Sequence, residues 1–291
     1  MHLGNARSAL LGWLFAKSQG GRFSLRIEDL DEERCRPEKV DLIFADLEYL
    51  GLPWDGEVLF QSRRKEHYRA ALATLTERGR AFLCSCSRAD IARAASAPHA
   101  GEEGPLYPGT CRQGARADRP HSVRFACLPG QVSFFDGLCG RYDQDVEKVV
   151  GDFVLQRADG VASYQLAVVV DDAAQGITQV VRGADLLSST PRQLQLYEAL
   201  DLRPPTFAHV PLLLDEDGKR LAKRDDDSTV EGLRKAGFTG PEVVALLARS
   251  CGLDAPEPLS PDALLKGFSP LGLRQAHPIT LPAHLRAPPV S

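Results

Sequence analysis

Hydrophobic residues recur along the first part of the chain with two periods, which predict an α/β order of elements. The stretch RFSLRIEDLD, residues 22–31, alternates apolar and polar positions as a half-buried strand does. Around it, residues 7–18 have a helical pattern, and apolar residues three and four apart predict a helix at residues 37–50. Ser62 as a cap and Gly79 as a terminator predict a further helix at residues 62–79. A strand among helices in this order favours a domain with parallel strands.

The second part of the chain combines strand-like runs with short helices. The strand-like runs cover residues 121–128, 132–140, 153–172 and 177–183. Thr190 and Pro191 suit the cap and the first turn of a helix that follows them. We predict two further short helices near residues 230–236 and 241–251, and a thin layer formed by the Pro-rich end of the sequence.

Residues 83–120 differ from the rest in composition, because they are rich in Ala, Gly, Pro and Arg and poor in large apolar side chains. Such a segment buries too little apolar surface to offset the entropy of ordering its backbone. We therefore predict an insertion that needs an additional stabilising element. Its cysteines Cys84, Cys86 and Cys111 are an incomplete set for tetrahedral zinc, and free buried thiols are the alternative.

Composition places the chain among ordinary globular proteins and narrows its location. It has 291 residues, of which 43% are hydrophobic and 25% charged, and a formal net charge of −4. This charge argues against general nucleic-acid binding, although a local basic stripe would still allow RNA to bind. Seven cysteines without a secretory pattern predict reduced thiols or metal ligands. The short apolar runs predict no membrane span, so we expect a cytoplasmic protein.

Four stretches contain residues that suit chemistry on phosphates and carboxylates. They are HLGNAR at residues 2–7, LRIEDLD at 25–31, the segment 163–193 and GKRLAKR at 218–224. Each has an ordinary structural explanation when it is taken alone. An acidic pair after a strand is commonly a solvated turn, and a Lys/Arg cluster in a loop is commonly surface charge.

In their order and spacing, these stretches resemble the glutamyl-tRNA synthetase family of class I aminoacyl-tRNA synthetases. The resemblance covers roughly residues 2–250. The matching positions are His2-Leu3-Gly4-Asn5 with H-I-G-H, Arg7 with the arginine that follows it, residues 26–31 with R-I-E-D-T-D, residues 181–185 with V-R-G-x-D and residues 220–224 with K-L-S-K-R. Among the positions that depart from the family pattern, Leu30 replaces a threonine and Ala222 replaces a serine.

The resemblance implies a fold and a division of the chain. The fold is a Rossmann-like doubly wound parallel sheet with a zinc-stapled insertion and a short helical C-terminal layer, and ligands bind such sheets at the carboxyl ends of the strands. The implied domains are the first half of the nucleotide-binding core at 1–82, the zinc-binding insertion at 83–120, the rest of the catalytic core with its lysine loop at 121–229, and the C-terminal region at 230–291.

The implied reaction joins a carboxylate to the α-phosphorus of ATP and releases pyrophosphate. Negative charge therefore grows on phosphate oxygens and has to be stabilised. For ATP, which Mg²⁺ accompanies, the resemblance implies His2 and Gly4 at the N-terminus of a helix, and Lys223 and Arg224 in the lysine loop. His2 and Lys223 are the implied catalytic residues.

For an amino-acid substrate, the resemblance implies a glutamate pocket made by Glu28, Tyr164 and Arg182. Glu28 can bind the substrate ammonium, and Arg182 can hold a carboxylate in a bidentate fork. The hydroxyl of Tyr164 can close the pocket. The alternative for Arg182 is a surface ion pair with Asp185.

The short proteins of this family carry C-x-C followed by Y-x-x-x-C, in which the tyrosine is the fourth zinc ligand. This resemblance implies Cys84, Cys86, Tyr107 and Cys111 as the ligands of Zn²⁺, with His99 as the competing fourth ligand. Five further residues are interpreted as packing residues, namely Cys35, Cys127, Cys139, Cys251 and His209.

Only about seventy residues follow Arg224, fewer than the large anticodon-binding region of a full glutamyl-tRNA synthetase. The chain therefore resembles the glutamyl-Q tRNA(Asp) synthetases. They activate L-glutamate with ATP in the absence of tRNA and transfer glutamyl to the queuosine base in the anticodon of aspartate tRNA. A modest net charge is compatible with this partner, because an anticodon loop is recognised by shape and stacked bases. We expect a monomer.

Two other functions remain open at this point. One is a fragment of an ordinary glutamyl-tRNA synthetase that charges the 3′ end of tRNA. The other is a catalytically inactive RNA-binding relic.

The beginning of the sequence raises a separate expectation. The family has a strand and loop, R-F-A-P-S-P-T-G, just before the histidine, and its arginine and serine help to hold glutamate. Here Met1 directly precedes His2, and we expect the true start to lie upstream. If Met1 is the start, the resemblance implies weak glutamate activation, because a central strand and part of the pocket would be absent.

Overall fold

Helices and short strands alternate along most of the chain. The computed structural model describes residues 1–31, 35–94, 106–214, 229–255, 258–273 and 279–280. The helices are α1 Leu3–Ser18, α2 Pro37–Tyr49, α3 Lys65–Glu77, α4 Arg88–Ala94, α5 Val146–Val149, α6 Tyr164–Gln175, α7 Thr190–Ala199, α8 Val230–Lys235, α9 Gly240–Arg249 and α10 Pro261–Leu265. The strands are β1 Arg26–Ile27, β2 Leu59–Phe60, β3 Ala81–Cys84, β4 Ser122–Phe125, β5 Gln131–Asp136, β6 Gly140–Asp145, β7 Val154–Gln156, β8 Gln179–Gly183, β9 Thr206–Val210, β10 Leu213–Leu214 and β11 Ile279–Thr280. Short 3₁₀ segments lie at Gln61–Arg64, Ala184–Ser189 and Pro270–Leu273.

Helix α1 belongs to the first of two large hydrophobic cores. Its side chains are buried on several faces, as Leu10, Trp13 and Leu14 show, because the helix packs against both β8 and α9. The imidazole of His2 caps the helix by accepting a hydrogen bond from the Gly4 amide at 3.3 Å. The predicted helix at 7–18 is confirmed, with a start four residues earlier than expected.

Two pairs of parallel strands hold the candidate site. Strand β1 pairs with β2, and β8 pairs with β9 in a register that sets Arg182 opposite His209. Within the described residues neither β1 nor β8 pairs with a second strand, and both line one cleft of about 760 Å³. The predicted strand at 22–31 was too long, because only Arg26–Ile27 lies in register beside β2.

The second large core is formed by helices α3, α6 and α7 with the antiparallel strands β4 and β7. Aromatic packing contributes to it, and the rings of Phe125 and Phe153 lie 5.1 Å apart at their centroids. The strand predicted at 121–128 is confirmed in its central part. The strand-like run at 132–140 forms the β5–β6 hairpin together with the residues that follow it.

The strand prediction for residues 153–172 was wrong over most of its length. Only β7 is a strand, and YQLAVVVDDAAQ forms helix α6. The side chain of Ser163 caps this helix by accepting from the Leu166 amide at 3.4 Å, and Gly176 ends it with a positive φ of 64°. A short apolar run that is buried on all sides does not show the helical period, so the pattern favoured a strand.

Two predicted helix caps have other partners. Ser62 was expected to cap a helix over 62–79, but its hydroxyl donates to Asp29 at 2.6 Å and a 3₁₀ turn precedes α3. Thr190 was expected to cap α7, but a 3₁₀ segment precedes it and Thr190 is the first helical residue. Its hydroxyl accepts a hydrogen bond from Arg182 instead.

The helices predicted near 230–236 and 241–251 are confirmed as α8 and α9. Thr239 and Glu242 form a capping box at the start of α9, in which the Thr239 amide donates to the Glu242 carboxylate at 2.6 Å. The domain boundaries proposed from the sequence stay predictions. None of the described helices combines the length and the apolar composition that a membrane crossing requires.

Candidate active site and metal-binding cluster

Arg182 lies in the middle of a polar network at the second core. Strand β8 carries it, and β9, α6 and α7 supply its partners. Its Nε donates to His209 Nε2 at 3.0 Å, and its Nη1 donates to the Tyr164 hydroxyl at 3.2 Å. Its Nη2 donates to Thr190 Oγ1 and to Gln193 Oε1, both at 2.8 Å, and lies 3.4 Å from the Leu186 carbonyl.

These contacts bear on the alternative interpretation of Arg182, a surface ion pair with Asp185. All five partners are neutral groups, and none is Asp185 or another carboxylate in the described part of the chain. The surface ion pair is therefore not formed there. Most of the guanidinium fork is also in use, so a bidentate grip on a carboxylate by Arg182 alone would displace existing partners. The Nη1 edge beside Tyr164 is the part that a substrate can share.

Tyr164 begins helix α6 and places its hydroxyl against Arg182. Burial raises the pKa of this phenol, the nearby carboxylate of Glu28 adds to the increase, and Arg182 opposes it. The hydroxyl consequently stays protonated near neutral pH and can donate to an anion that Arg182 attracts.

Glu28 follows strand β1, at the end of LRIE. Its side chain is 45% exposed, and Arg26 donates to it at 3.3 Å. Arg26 itself is held by the stronger contact with Asp172 at 2.5 Å. The adjacent Asp29 accepts two hydrogen bonds from Ser62 and is a structural residue. Of this acidic pair, Glu28 is the exposed side chain, whereas Asp29 is half-buried and both of its oxygens accept from Ser62.

The three predicted glutamate-binding residues lie near one another, since the charges of Glu28 and Arg182 both influence the pKa of the Tyr164 hydroxyl. An anionic group and a cationic group near one hydroxyl fit a zwitterionic ligand with an additional carboxylate. Their role in binding stays a prediction.

The predicted nucleotide corner is the N-terminus of α1. A side-chain carbon at Gly4 would meet only His2 Nδ1, at an ordinary 3.5 Å, so packing within the protein does not require glycine there. This is consistent with a position kept open for a ligand. Lys223, Arg224 and His99 lie outside the described residues.

The N-terminus contacts the residues at which the described chain resumes after residue 214. His2 forms an isolated antiparallel bridge with Thr229, and the Val230 amide donates to the Met1 carbonyl at 2.9 Å. Lys223 precedes these residues in sequence, and its pairing with His2 stays a prediction.

Three cysteines of the insertion form a cluster suited to a metal ion. The sulfur atoms of Cys84, Cys86 and Cys111 all lie within 4.8 Å of one another. The hydroxyl of Tyr107 lies 3.4 Å from the Cys84 sulfur and accepts from the Cys111 amide at 2.9 Å. Three thiolates and a phenol oxygen make a four-donor set of the kind that tetrahedral zinc prefers. The cluster can hold a metal ion.

Arg124 is an unpredicted member of this cluster. It is buried, its Nε donates to the Cys84 sulfur at 3.2 Å, and its guanidinium lies 4.0 Å from the centre of the Tyr107 ring. Burial alone would raise the pKa of Cys111, but hydrogen bonds that include those from Ser85 and Tyr107 outweigh it and lower the pKa to about 7. The hydrogen bonds at Cys111 favour the thiolate form that binds metals, whereas burial raises the pKa of Cys86 to about 11.

Replacing Tyr107 with phenylalanine is expected to weaken metal binding by about 10- to 100-fold, because it removes one donor and keeps the packed ring. Competition with a chromophoric chelator measures the affinity. His99→Ala is the matched control and should leave the affinity unchanged. If the His99 variant loses affinity and the Tyr107 variant does not, histidine is the fourth ligand.

Several residues at the site carry no signal in the sequence. Thr190 and Gln193 contact Arg182 from the first turns of α7, and Asp136 contacts its partner His209 from a strand 73 residues away in sequence. The sequence offers one indication of such residues, a polar side chain among apolar neighbours within a strand or helix. The four cysteines predicted to be packing residues lie outside the metal cluster, and Cys127 and Cys251 are buried.

Comparison with known proteins places this geometry in a family. A family model described as the catalytic domain of class I tRNA synthetases (E and Q) matches residues 1–253. A glutamyl-Q tRNA(Asp) synthetase from Symbiobacterium thermophilum is 48% identical, over 97% of this chain and 93% of the relative. One from Nocardia farcinica is also 48% identical, over 94% of this chain and 87% of the relative.

Solved structures agree with these relatives. A glutamate tRNA ligase from Elizabethkingia meningosepticum, in complex with its amino acid, matches with a TM-score of 0.82 at 26% identity. A glutamate-tRNA synthetase from Elizabethkingia anophelis matches with a TM-score of 0.83 at 27% identity. Both comparisons cover 98% of this chain and only 65% and 66% of the solved chains, so it spans about two thirds of their length. The predicted α/β fold class is confirmed.

Proposed function

Because the chain belongs to the family of class I tRNA synthetases for glutamate and glutamine, we propose that it activates L-glutamate with ATP and modifies aspartate tRNA. The glutamyl group is transferred to the queuosine base of the anticodon. The observation that carries this assignment is the 48% identity, over nearly the whole length of both chains, to a glutamyl-Q tRNA(Asp) synthetase. We further propose that the protein is a cytoplasmic monomer.

The reaction has two steps. In the first, an oxygen of the glutamate α-carboxylate attacks the α-phosphorus of ATP, and the bond to pyrophosphate breaks. In the second, a nucleophilic group of the queuosine base attacks the acyl carbon, and AMP leaves. Activation needs no tRNA, so the first step can be measured alone.

The chemistry of the first step determines how glutamate is oriented. The α-carboxylate has to remain free to attack phosphorus, so the side-chain carboxylate is the group for Arg182 and Tyr164. The single uncommitted N–H of Arg182 Nη1 and the Tyr164 hydroxyl are donors on one side of the pocket. Glu28 binds the α-ammonium, which its exposed oxygens support.

The N-terminus of α1 and the lysine loop bind the triphosphate. His2 and the positive N-terminal end of the α1 dipole stabilise the phosphate oxygens, and Gly4 lets the nucleotide approach the backbone closely. Lys223 and Arg224 add positive charge as the negative charge on the phosphates grows. Mg²⁺ enters with ATP and neutralises the phosphate charges.

The cysteine cluster binds Zn²⁺ in a structural role. Cys84, Cys86, Cys111 and Tyr107 are the proposed ligands, and their donor chemistry fits zinc. A metal there supplies folding energy to a segment with few apolar side chains.

Two assays test the proposal. We expect ATP–pyrophosphate exchange that depends on glutamate and proceeds without tRNA; omission of glutamate is the control. We also expect labelled glutamate to enter aspartate tRNA that contains queuosine and lacks its 3′ adenosine, and not the same tRNA with guanosine in place of queuosine. Charging of queuosine-free glutamate tRNA at its 3′ end would instead support an ordinary synthetase. Absence of exchange would support an inactive relic.

A further inference from the structure

We infer that His209 and Asp136 are positioning residues that hold the guanidinium of Arg182 in its substrate-binding orientation. The inference rests on the proposed function only in naming glutamate as the ligand. His209 is fully buried on strand β9, directly opposite Arg182 in the parallel register. Its Nε2 accepts from Arg182 Nε at 3.0 Å, and its Nδ1 lies 2.6 Å from Asp136 Oδ2.

The donors in these contacts determine which ring nitrogen of His209 carries the proton. An arginine Nε carries a hydrogen and has no lone pair to offer, so His209 Nε2 must be the acceptor. The other ring nitrogen, Nδ1, then carries the single proton and donates it to Asp136. His209 is therefore a neutral imidazole in one tautomer, fixed between a carboxylate and a guanidinium.

Asp136 is itself firmly held at the end of strand β5. Its Oδ1 accepts from the backbone amides of Leu138, Cys139 and His209 at 2.8 to 3.0 Å. Burial alone would raise the pKa of this carboxyl, but the hydrogen bonds from His209 and the amides outweigh it and lower the pKa. The carboxylate stays ionised, so it is a constant acceptor for the imidazole.

Fixing Nε determines where the rest of the guanidinium points. With Nε directed at His209, and Nη2 at Thr190 and Gln193, the planar group has no rotational freedom. Its Nη1 edge consequently faces Tyr164. Without the acceptor on His209, the guanidinium can rotate and the edge that we assign to glutamate is no longer presented.

Acid is expected to break this arrangement. A protonated imidazole would direct Nε2–H at Arg182 Nε–H and add a second positive charge beside the guanidinium. Among the described residues, the titratable groups that contact the imidazole are Asp136 from β5 and Arg182 from β8, and Tyr164 from α6 is linked to it through Arg182. Cys139 from the β5–β6 turn contacts the backbone carbonyl of His209. Burial lowers the pKa of His209 and Arg182 adds to this, although Asp136 opposes both.

The test compares two replacements of His209. Glutamine can accept from Arg182 through its amide oxygen, whereas phenylalanine keeps a ring and offers no acceptor. We expect His209→Phe to raise KM for glutamate at least about 10-fold with little change in KM for ATP, and His209→Gln to recover most of the loss. His67→Phe, on the exposed side of α3, is the matched control. The wild type should lose kcat/KM for glutamate in acid, at a pH below the ordinary pKa of histidine, because the pKa of His209 is lowered. This loss should be absent in the Gln variant.

Equal effects of His209→Phe on both KM values, or an unchanged KM for glutamate, would overturn the inference while glutamate-dependent exchange by the wild type still supported the proposed function. A second measurement does not depend on activity, so it tests the inference even if the proposed function is wrong. In protein labelled with ¹⁵N-histidine, the ring nitrogen shifts report the tautomer of His209. A neutral ring with its proton on Nδ1 is expected even if the enzyme does not act on glutamate, and a proton on Nε2 would refute the arrangement.

Discussion

Replacing Arg182 with alanine is expected to lower kcat/KM for glutamate in pyrophosphate exchange by about 100- to 1,000-fold. The change removes a guanidinium that no carboxylate contacts directly in the described part of the chain, and it leaves Thr190, Gln193 and His209 with unused acceptors. Loss of one partner from a desolvated charge-assisted contact costs about 3 to 4 kcal/mol, which corresponds to that range. KM for ATP should change little, because the proposed triphosphate site is formed by the N-terminus of α1 and the lysine loop and does not include Arg182.

Arg182→Lys tests whether charge alone suffices. Lysine keeps the positive charge but has no Nε–H for His209 and no planar group, so we expect a loss of about 10- to 100-fold. Arg141→Ala is the matched control, because Arg141 is exposed and pairs with Asp143 on the β5–β6 hairpin, away from Arg182. It should remain within about twofold of the wild type. Near-normal glutamate kinetics in folded Arg182→Ala protein would contradict the assigned pocket.

Converting both Cys84 and Cys111 to serine is expected to abolish stoichiometric metal binding and to lower the melting temperature by about 5 to 10 °C. Among the described residues, the buried cluster around these cysteines contains Ile91 and Tyr107 besides them, so the described part of the insertion has little apolar core of its own. A loss of about 2 to 4 kcal/mol accounts for a shift of this size in a chain of this length. Metal analysis and thermal unfolding check the two parts.

Cys35→Ser is the control for the metal experiment, because Cys35 is half-buried and lies outside the cluster. It should retain one metal ion per chain and the melting temperature of the wild type. Removal of metal from the wild type with a strong chelator should reproduce the effect of the double replacement. An unaltered metal content in the Cys84/Cys111 variant would show that the ion is bound elsewhere.

Local signals predicted the elements that depend on local sequence. Helix α9 has an amphipathic pattern and a capping box, and both are visible in the sequence. Helix α6 was mistaken for a strand because LAVVV is apolar throughout and its burial depends on α3 and α7, which are remote in sequence. Tertiary packing decided between two structures that the local pattern allows equally.

The candidate site, like the fold, was predictable only in part. Motif matches identified Glu28, Tyr164 and Arg182, which the structure brings together. The use of the Arg182 fork by its neighbours was not predictable, because Thr190, Gln193 and His209 reach it only through the register of β8 with β9 and the position of α7. His209 was interpreted as a core histidine, and its burial agrees with that. Its contact with Arg182 adds a second role.

Helix α6 carries a consequence for engineering the amino-acid preference. Its first residue is Tyr164, and about 10 Å further along its axis the adjacent carboxylates of Asp171 and Asp172 are anchored to different parts of the molecule. Asp171 accepts from Gln61, Arg64 and Tyr68, whereas Asp172 accepts from Arg26 beside Glu28. Because the helix is rigid, the contacts of Asp171 and Asp172 also determine the position of its first residue. Variants that change only the residues lining the pocket would therefore leave the Tyr164 hydroxyl where these two distant carboxylates set it.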